Sequence, residues 1–214
     1  NVYRLGVWVR DSTAGVGTLT FYDQETGGYG GLGHAITDLD TGEELSVREG
    51  EIISSNIIDV VRGQAGMPGE LKGYFNANNG IGSILKNSEF GIYGLCYNKI
   101  TNPLYPDGIY VAKQSEVHEG PAKLLSTVDD KGVKAYDCTI SNVVLQNEPT
   151  QKSFLITITD PELLKKTGGI VQGMSGSPVI QDGKLIGAVT HVFVNDPTKG
   201  YGIYIEWMLD ELYK

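Results

Sequence analysis

The chain has 214 residues, enough for one large β domain or two small ones with a sizeable core. A net charge of -9 with no Lys/Arg cluster argues against a nucleic-acid partner, and no apolar run approaches the roughly 20 residues of a membrane span. Glycine supplies 29 residues, spaced at turn-like intervals among Val, Ile, Thr and Tyr, so short strands and tight turns should dominate.

In chain order, Val7 and Val9 read as one strand and 16–22 as another. A polar turn at 23–28 joins 16–22 to a strand at 29–36, giving a hairpin with His34 near its far end. Further strands are expected at 43–47, 51–61, 69–75 and 90–97, with loops at 63–69 and 76–82. The connector at 98–108 carries Pro103 and Pro106 and divides the chain into 1–102 and 103–214.

The second half continues with strands at 109–113, 120–128, 134–145 and 152–159. A short helix at 161–166 has Asp160 as its cap and Pro161 in its first turn. Strands at 179–180, 185–194 and 201–205 and a terminal helix at 206–213 complete the chain. The pattern predicts an all-β fold of two packed antiparallel barrels with a short C-terminal helix and a site in the crevice between them.

One string stands apart: Gly173-Met174-Ser175-Gly176-Ser177-Pro178. A serine between glycines, ahead of a proline and an apolar run, suits a nucleophile on a tight loop. The amides of Gly173 and Ser175 are then candidates for an oxyanion hole. Ser177 is the weaker nucleophile, since it begins the next strand.

Only three histidines compete as the base: His34, His118 and His191. His34, in the opposite half from Ser175, is preferred; His191 falls within a strand near the substrate site, and His118 reads as a solvated loop residue. The orienting acid is open between Asp160, which an N-cap role would also explain, and Asp59, which the solvent face of a strand would explain. The primary pocket should be walled by 168–172, 190–193 and 200–202, including Thr190, His191, Val192, Phe193 and Tyr201. None is charged if His191 is neutral, so no preference for Lys or Arg at the cleavage site is expected. Cys96 and Cys138 lack the partner histidines of a zinc site, and no metal or other cofactor is expected.

The string Gly168-Gly169-Ile170-Val171-Gln172 through Pro178, with Gly187-Ala188-Val189-Thr190-His191-Val192-Phe193-Val194-Asn195-Asp196-Pro197, resembles the stage IV sporulation protein B peptidase family. So do Leu32-Gly33-His34-Ala35-Ile36 and Tyr201-Gly202-Ile203-Tyr204-Ile205-Glu206-Trp207-Met208. The serine loop is more distantly similar to that of trypsin-like double-barrel proteases.

The resemblance implies a serine endopeptidase of spore-forming bacteria with His34, Asp160 and Ser175 as catalytic set. It implies action in the space between the two membranes around the forespore, on a regulatory subunit of a membrane-embedded metalloprotease complex and on itself. It also implies an upstream membrane anchor and PDZ domain, the present chain being a soluble protease domain. A protease-like module that binds without catalysis is the second reading. An α/β-hydrolase is disfavoured, because its elbow requires glycine where Ser177 stands.

Overall fold

The computed structural model of the chain describes residues 14–38, 41–47 and 49–214. The strand expected around Val7 and Val9 lies outside them. The first half forms β1 (Leu19–Tyr22), β2 (Gly28–Gly31), β3 (Gly50–Val61), β4 (Glu70–Ser88) and β5 (Gly91–Cys96). All pairings are antiparallel, in the order β1-β2-β5-β4-β3. The turn after β1 closes as expected, Asp23 N donating to Gly28 O at 2.8 Å.

β4 is one 19-residue strand, although the sequence suggested a loop at 76–82. The ladder absorbs those residues as a bulge. Ser55 pairs with Phe75 and Ile53 with Gly80, so four residues of β4 stand against one of β3. The strands expected at 43–47 and 109–113 shrink to isolated bridges, Thr37 with Glu44 and Val111 with Leu185. Around 45 two main-chain bonds remain, Leu45 N to Ile36 O and Asp38 N to Glu43 O, and a side chain adds to them. Asn87 accepts from Ile36 N and donates to the carbonyls of Ile36 and Leu45. The other stretch is cut short by a 3-10 turn, Gln114–Glu116.

The second half holds β6 (Gly120–Ser126), β7 (Lys134–Ser141), β8 (Phe154–Ile158), β9 (Pro178–Gln181), β10 (Lys184–Phe193) and β11 (Asp196–Tyr204), closed into a six-stranded barrel. Alternation along β7 and β8 places Tyr136, Cys138, Ile140, Phe154, Ile156 and Ile158 inside. The fold is thus all-β with two sheets: among the described residues the second closes and the first is a half-barrel, with β1 of four residues at one end and β3 of twelve at the other.

Two helices follow the expected signals. α1 (Pro161–Thr167) is capped by Asp160 and stopped by Gly168 in the left-handed region. α2 (Ile205–Tyr213) buries Ile205 and Met208 and ties the halves together. Its Glu211 meets Lys86 of β4 at 2.7 Å, and Tyr213 donates to Asp23 beyond β1. Both thiols are free, Cys96 on β5 and Cys138 on β7. Burial, with Asp137 beside it, pushes the Cys138 thiol up to about 12, so it behaves as a core residue. No helix among the described residues is long and apolar enough to cross a membrane.

Candidate active site

The serine loop leaves the pocket-wall segment 168–172 and enters β9 at Pro178. The first sheet grips it directly. Thr18 N donates to Ser175 O at 2.9 Å, Thr18 Oγ1 to Gly173 O at 3.0 Å, and Thr20 Oγ1 to Gly176 O at 2.8 Å. Gly176 has φ 86°, and a Cβ there would stand 2.2 Å from Thr18 O, so the close approach of the halves requires glycine.

Four amides of the loop are consumed by the fold. Gln172 N reaches Gly69 O, Met174 N reaches Val171 O, Gly176 N reaches Val189 O, and Ser177 N reaches Met174 O. Among the described residues the amides of Gly173 and Ser175 have no acceptor. Both peptides are held from their carbonyl side, Gln172 O by Leu71 N and Met174 O by Ser177 N. In a trans peptide the N–H points opposite to its C=O, so both N–H groups are turned away from these anchors. That leaves two fixed donors of the kind an oxyanion hole needs.

His34 is delivered by a strained turn. Leu32, at φ 69°, is the centre of a three-residue turn in which Gly33 N donates to Gly31 O at 2.9 Å. Such turns are rare for a residue with a side chain. Asn87 then holds Ile36 from the other side. A Cβ on Gly33 would lie 3.1 Å from Thr190 Cγ2, and the His34 ring lies 5.4 Å from that of His191.

Thr190 is the common neighbour of the two candidates. It occupies a bulge where β10 passes from Val189–Gly202 to His191–Tyr201 pairing, and its carbonyl accepts Ser175 Oγ at 3.3 Å. The structure therefore gathers Ser175, His34, Thr190 and His191 at the junction of the halves. No hydrogen bond joins Ser175 to His34. Nδ1 of His34 is instead 2.8 Å from Ala35 O.

The two carboxylates named from sequence lie on other surfaces. Asp160 Oδ1 accepts from Glu162 N and Leu163 N, and Oδ2 from Asp137 N at 3.2 Å. Burial works to raise this carboxyl, but those three donors and Lys123 outweigh it and hold it below the usual range. Asp59 faces Lys72 at 3.7 Å with both side chains largely in water. His118 is likewise at the surface, 2.7 Å from Asp182. Among the described residues no cluster of His, Cys, Asp and Glu could hold a metal.

A family model, SpoIVB peptidase S55, matches residues 1–209. The chain belongs to this family. It is a serine peptidase, a hydrolase of the SpoIVB type. No curated protein and no solved structure matches it.

The residues of this S55 peptidase expected to wall a pocket are in part packed against one another. Thr190 is buried, its hydroxyl donating to the carbonyls of Gln151 and Tyr201. Ile170 is also buried, and a Cβ on Gly200 would meet its Cδ1 at 2.7 Å, so the two walls touch there. Val192 is half-buried, and Phe193 stacks at a tilt on Tyr201 with ring centroids 4.8 Å apart. Lys152 Nζ stands 5.0 Å above the Tyr201 ring. Loss of water around the His191 ring pushes its pKa down, and the charges of His34 and Lys152 push the same way. Lys152, Asn87, Gln151 and the Thr190 carbonyl carried no signal in the sequence, because each acts through a contact distant along the chain.

Proposed function

We propose that Ser175 is the nucleophile and His34 the base of this serine peptidase, acting on peptide bonds through an acyl-enzyme. The observation that carries the reading is the loop itself, which leaves the amides of Gly173 and Ser175, and no others from 172 to 177, without an acceptor. His34 would take the Ser175 proton as Oγ attacks the carbonyl, and return it to the leaving amine. The two amides would meet the developing oxyanion, each such donor being worth about 3 kcal/mol of barrier. Asp160 completes the catalytic set by family resemblance.

The same resemblance supports a finer reading. The substrate is a regulatory subunit of a membrane-embedded metalloprotease complex, cut in the space between the forespore membranes, and the enzyme also processes itself. An upstream PDZ domain and membrane anchor would bring the two together. Lys152 over Tyr201 adds a positive charge beside the pocket, which supports the absence of a preference for Lys or Arg.

A resting, self-restrained enzyme is the second reading, and one bond favours it: Ser175 Oγ donates to Thr190 O rather than to His34. Incubation with a peptide library, read by mass spectrometry, tests both. Ser175-dependent cleavage at non-basic sites is the expected result. Binding without cleavage, unchanged in Ser175→Ala, would make the chain an interaction module.

A further inference from the structure

The strand that carries Thr190 has a free edge beside Ser175. β9 pairs with β10 only as far as Ala188, and Val189 then engages Ser177 O with its N–H and Gly176 N with its carbonyl. Beyond Val189 no strand among the described residues lies along that edge, where Thr190 O meets Ser175 Oγ. β11 covers the opposite edge, pairing Tyr201 with His191 and Gly200 with Val192. A peptide with its scissile carbonyl at Ser175 therefore has a row of main-chain groups to run along.

Side chains alternate across the sheet, so such a peptide shares a face with every second residue of β10. Thr190 is buried and Val192 packs on the core, which puts exposed His191 and half-buried Phe193 on the outer face. Tyr201, opposite His191, belongs to the same face, its ring 4.8 Å from that of Phe193. His34 adjoins it, 5.4 Å from His191. The face is thus an aromatic platform beside Ser175 and His34. Lys152 gives it a charge, its Nζ standing 5.0 Å above the Tyr201 ring.

The main chain on both sides of Lys152 is fixed. Gln151 O accepts the Thr190 hydroxyl at 3.0 Å, and Ser153 N donates to Gly202 O at 2.8 Å. The ammonium itself has no carboxylate partner among the described residues. Glu89, which lines a groove with 149–152, gives its main-chain oxygen to Gln151 and forms no ion pair with Lys152. Asp196 is taken by Lys199 at 2.9 Å. The charge of Lys152 is nevertheless felt across the face. Loss of water is the larger cause of the lowered His191 pKa, and the charges of His34 and then Lys152 add to it.

We infer that Lys152, held over Tyr201, is a specificity-determining residue that selects substrates with an acidic side chain, Asp or Glu, close to the scissile bond. This rests on the reading of Ser175 as the nucleophile. The net charge of -9 repels acidic peptides as a whole, so the preference belongs to one position of the substrate and not to its total charge.

The test takes a peptide that the enzyme cleaves and places Glu, Gln and Lys in turn at each position flanking the cut. At one position kcat/KM should fall in the order Glu, Gln, Lys. Glu should stand about three- to fivefold above Gln, the upper range for a partly exposed ion pair, and the gap should narrow in high salt. Lys152→Arg keeps the charge and the ring contact and should keep that order. Lys152→Met keeps the apolar stem and should erase the difference between Glu and Gln. Lys152→Glu should reverse the order in favour of Lys. Each comparison is a ratio within one variant, so a general loss of activity or stability cancels.

Equal rates for Glu and Gln at every position in wild type would overturn the assignment, as would a Glu preference that survives in Lys152→Met. Failure of the peptidase reading looks different: Ser175→Ala then cleaves like wild type, or nothing is cleaved. In either case fluorescence polarisation with peptides that the chain binds, compared as Glu and Gln versions, still decides the role of Lys152. Equal affinities would refute it.

Discussion

The barrel and the half-barrel are built to different standards. In the barrel, Leu124, Ile140, Ile156 and Val179 have no exposed surface. In the half-barrel, Ile58, Tyr74 and Leu85 are 70%, 63% and 63% exposed, and β3 pairs with β4 through three register breaks. The Ser175 loop, proposed to carry the nucleophile, belongs to the tight half, and His34, the proposed base, to the loose one. Bonds from Thr18, Thr20 and Leu71 join the loop to the first half, and Gly63 N to Thr167 O, Gly66 N to Val194 O and α2 tie the halves elsewhere. On the proposed pairing of Ser175 with His34, the contrast teaches that alignment depends on the seam more than on either sheet.

Truncation separates the halves most sharply. Ile156→Ala should destabilise the protein by about 2–5 kcal/mol, because a closed barrel cannot collapse around the cavity. Leu85→Ala should stay within about 0.5 kcal/mol. Urea unfolding of both variants checks the pair, and equal losses would mean that the first sheet is as tightly packed as the barrel.

The seam comes next. Thr20→Val keeps the shape but leaves the Gly176 carbonyl unpaired in a buried place, at an expected cost of about 1–3 kcal/mol. Activity should fall in Thr20→Val even well below its melting temperature, whereas Leu85→Ala should be fully active. A Thr20→Val enzyme of normal activity would show that the loop holds its shape without the first sheet.

A titration probes the same seam more gently. His191 should titrate below the ordinary 6.5, and His34→Gln should move it upward by removing one of the charges that depress it. Because the folded value lies below the unfolded one, the unfolded chain binds the proton first as pH falls. Stability from this group is therefore whole above 6.5 and is lost on acidification below it. Proton NMR of the ring follows the shift. An unchanged value in His34→Gln would place the two rings outside each other's influence. The smallest effect belongs to the outer face of the half-barrel, where Asp59→Asn should change stability by less than about 1 kcal/mol in a denaturant titration.

The contrast also explains what could be read in advance. Alternation in β7 and β8 and the Asp160-Pro161 start of α1 were plain in the sequence, because burial and capping leave local patterns. The Asn-rich middle of β4 looked like a loop, since a wide bulge has the composition of one. Among the described residues the first sheet stays a half-barrel, a difference from the second that strand count in the sequence does not reveal. At the site, Ser175 and the two unpaired amides stood out through their glycines. The acceptor at Nδ1 of His34 did not, since a main-chain carbonyl has no signature among residue types.

The most direct measurement is the rate at which a fluorophosphonate labels Ser175 in wild type and in His34→Gln, with the adduct located by mass spectrometry. Labelling is expected at Ser175 alone, slowed by at least about 10³-fold without the imidazole, as for two groups that act as a unit. Labelling at the same rate in His34→Gln, or at another serine, would contradict a nucleophile and base meeting across the seam.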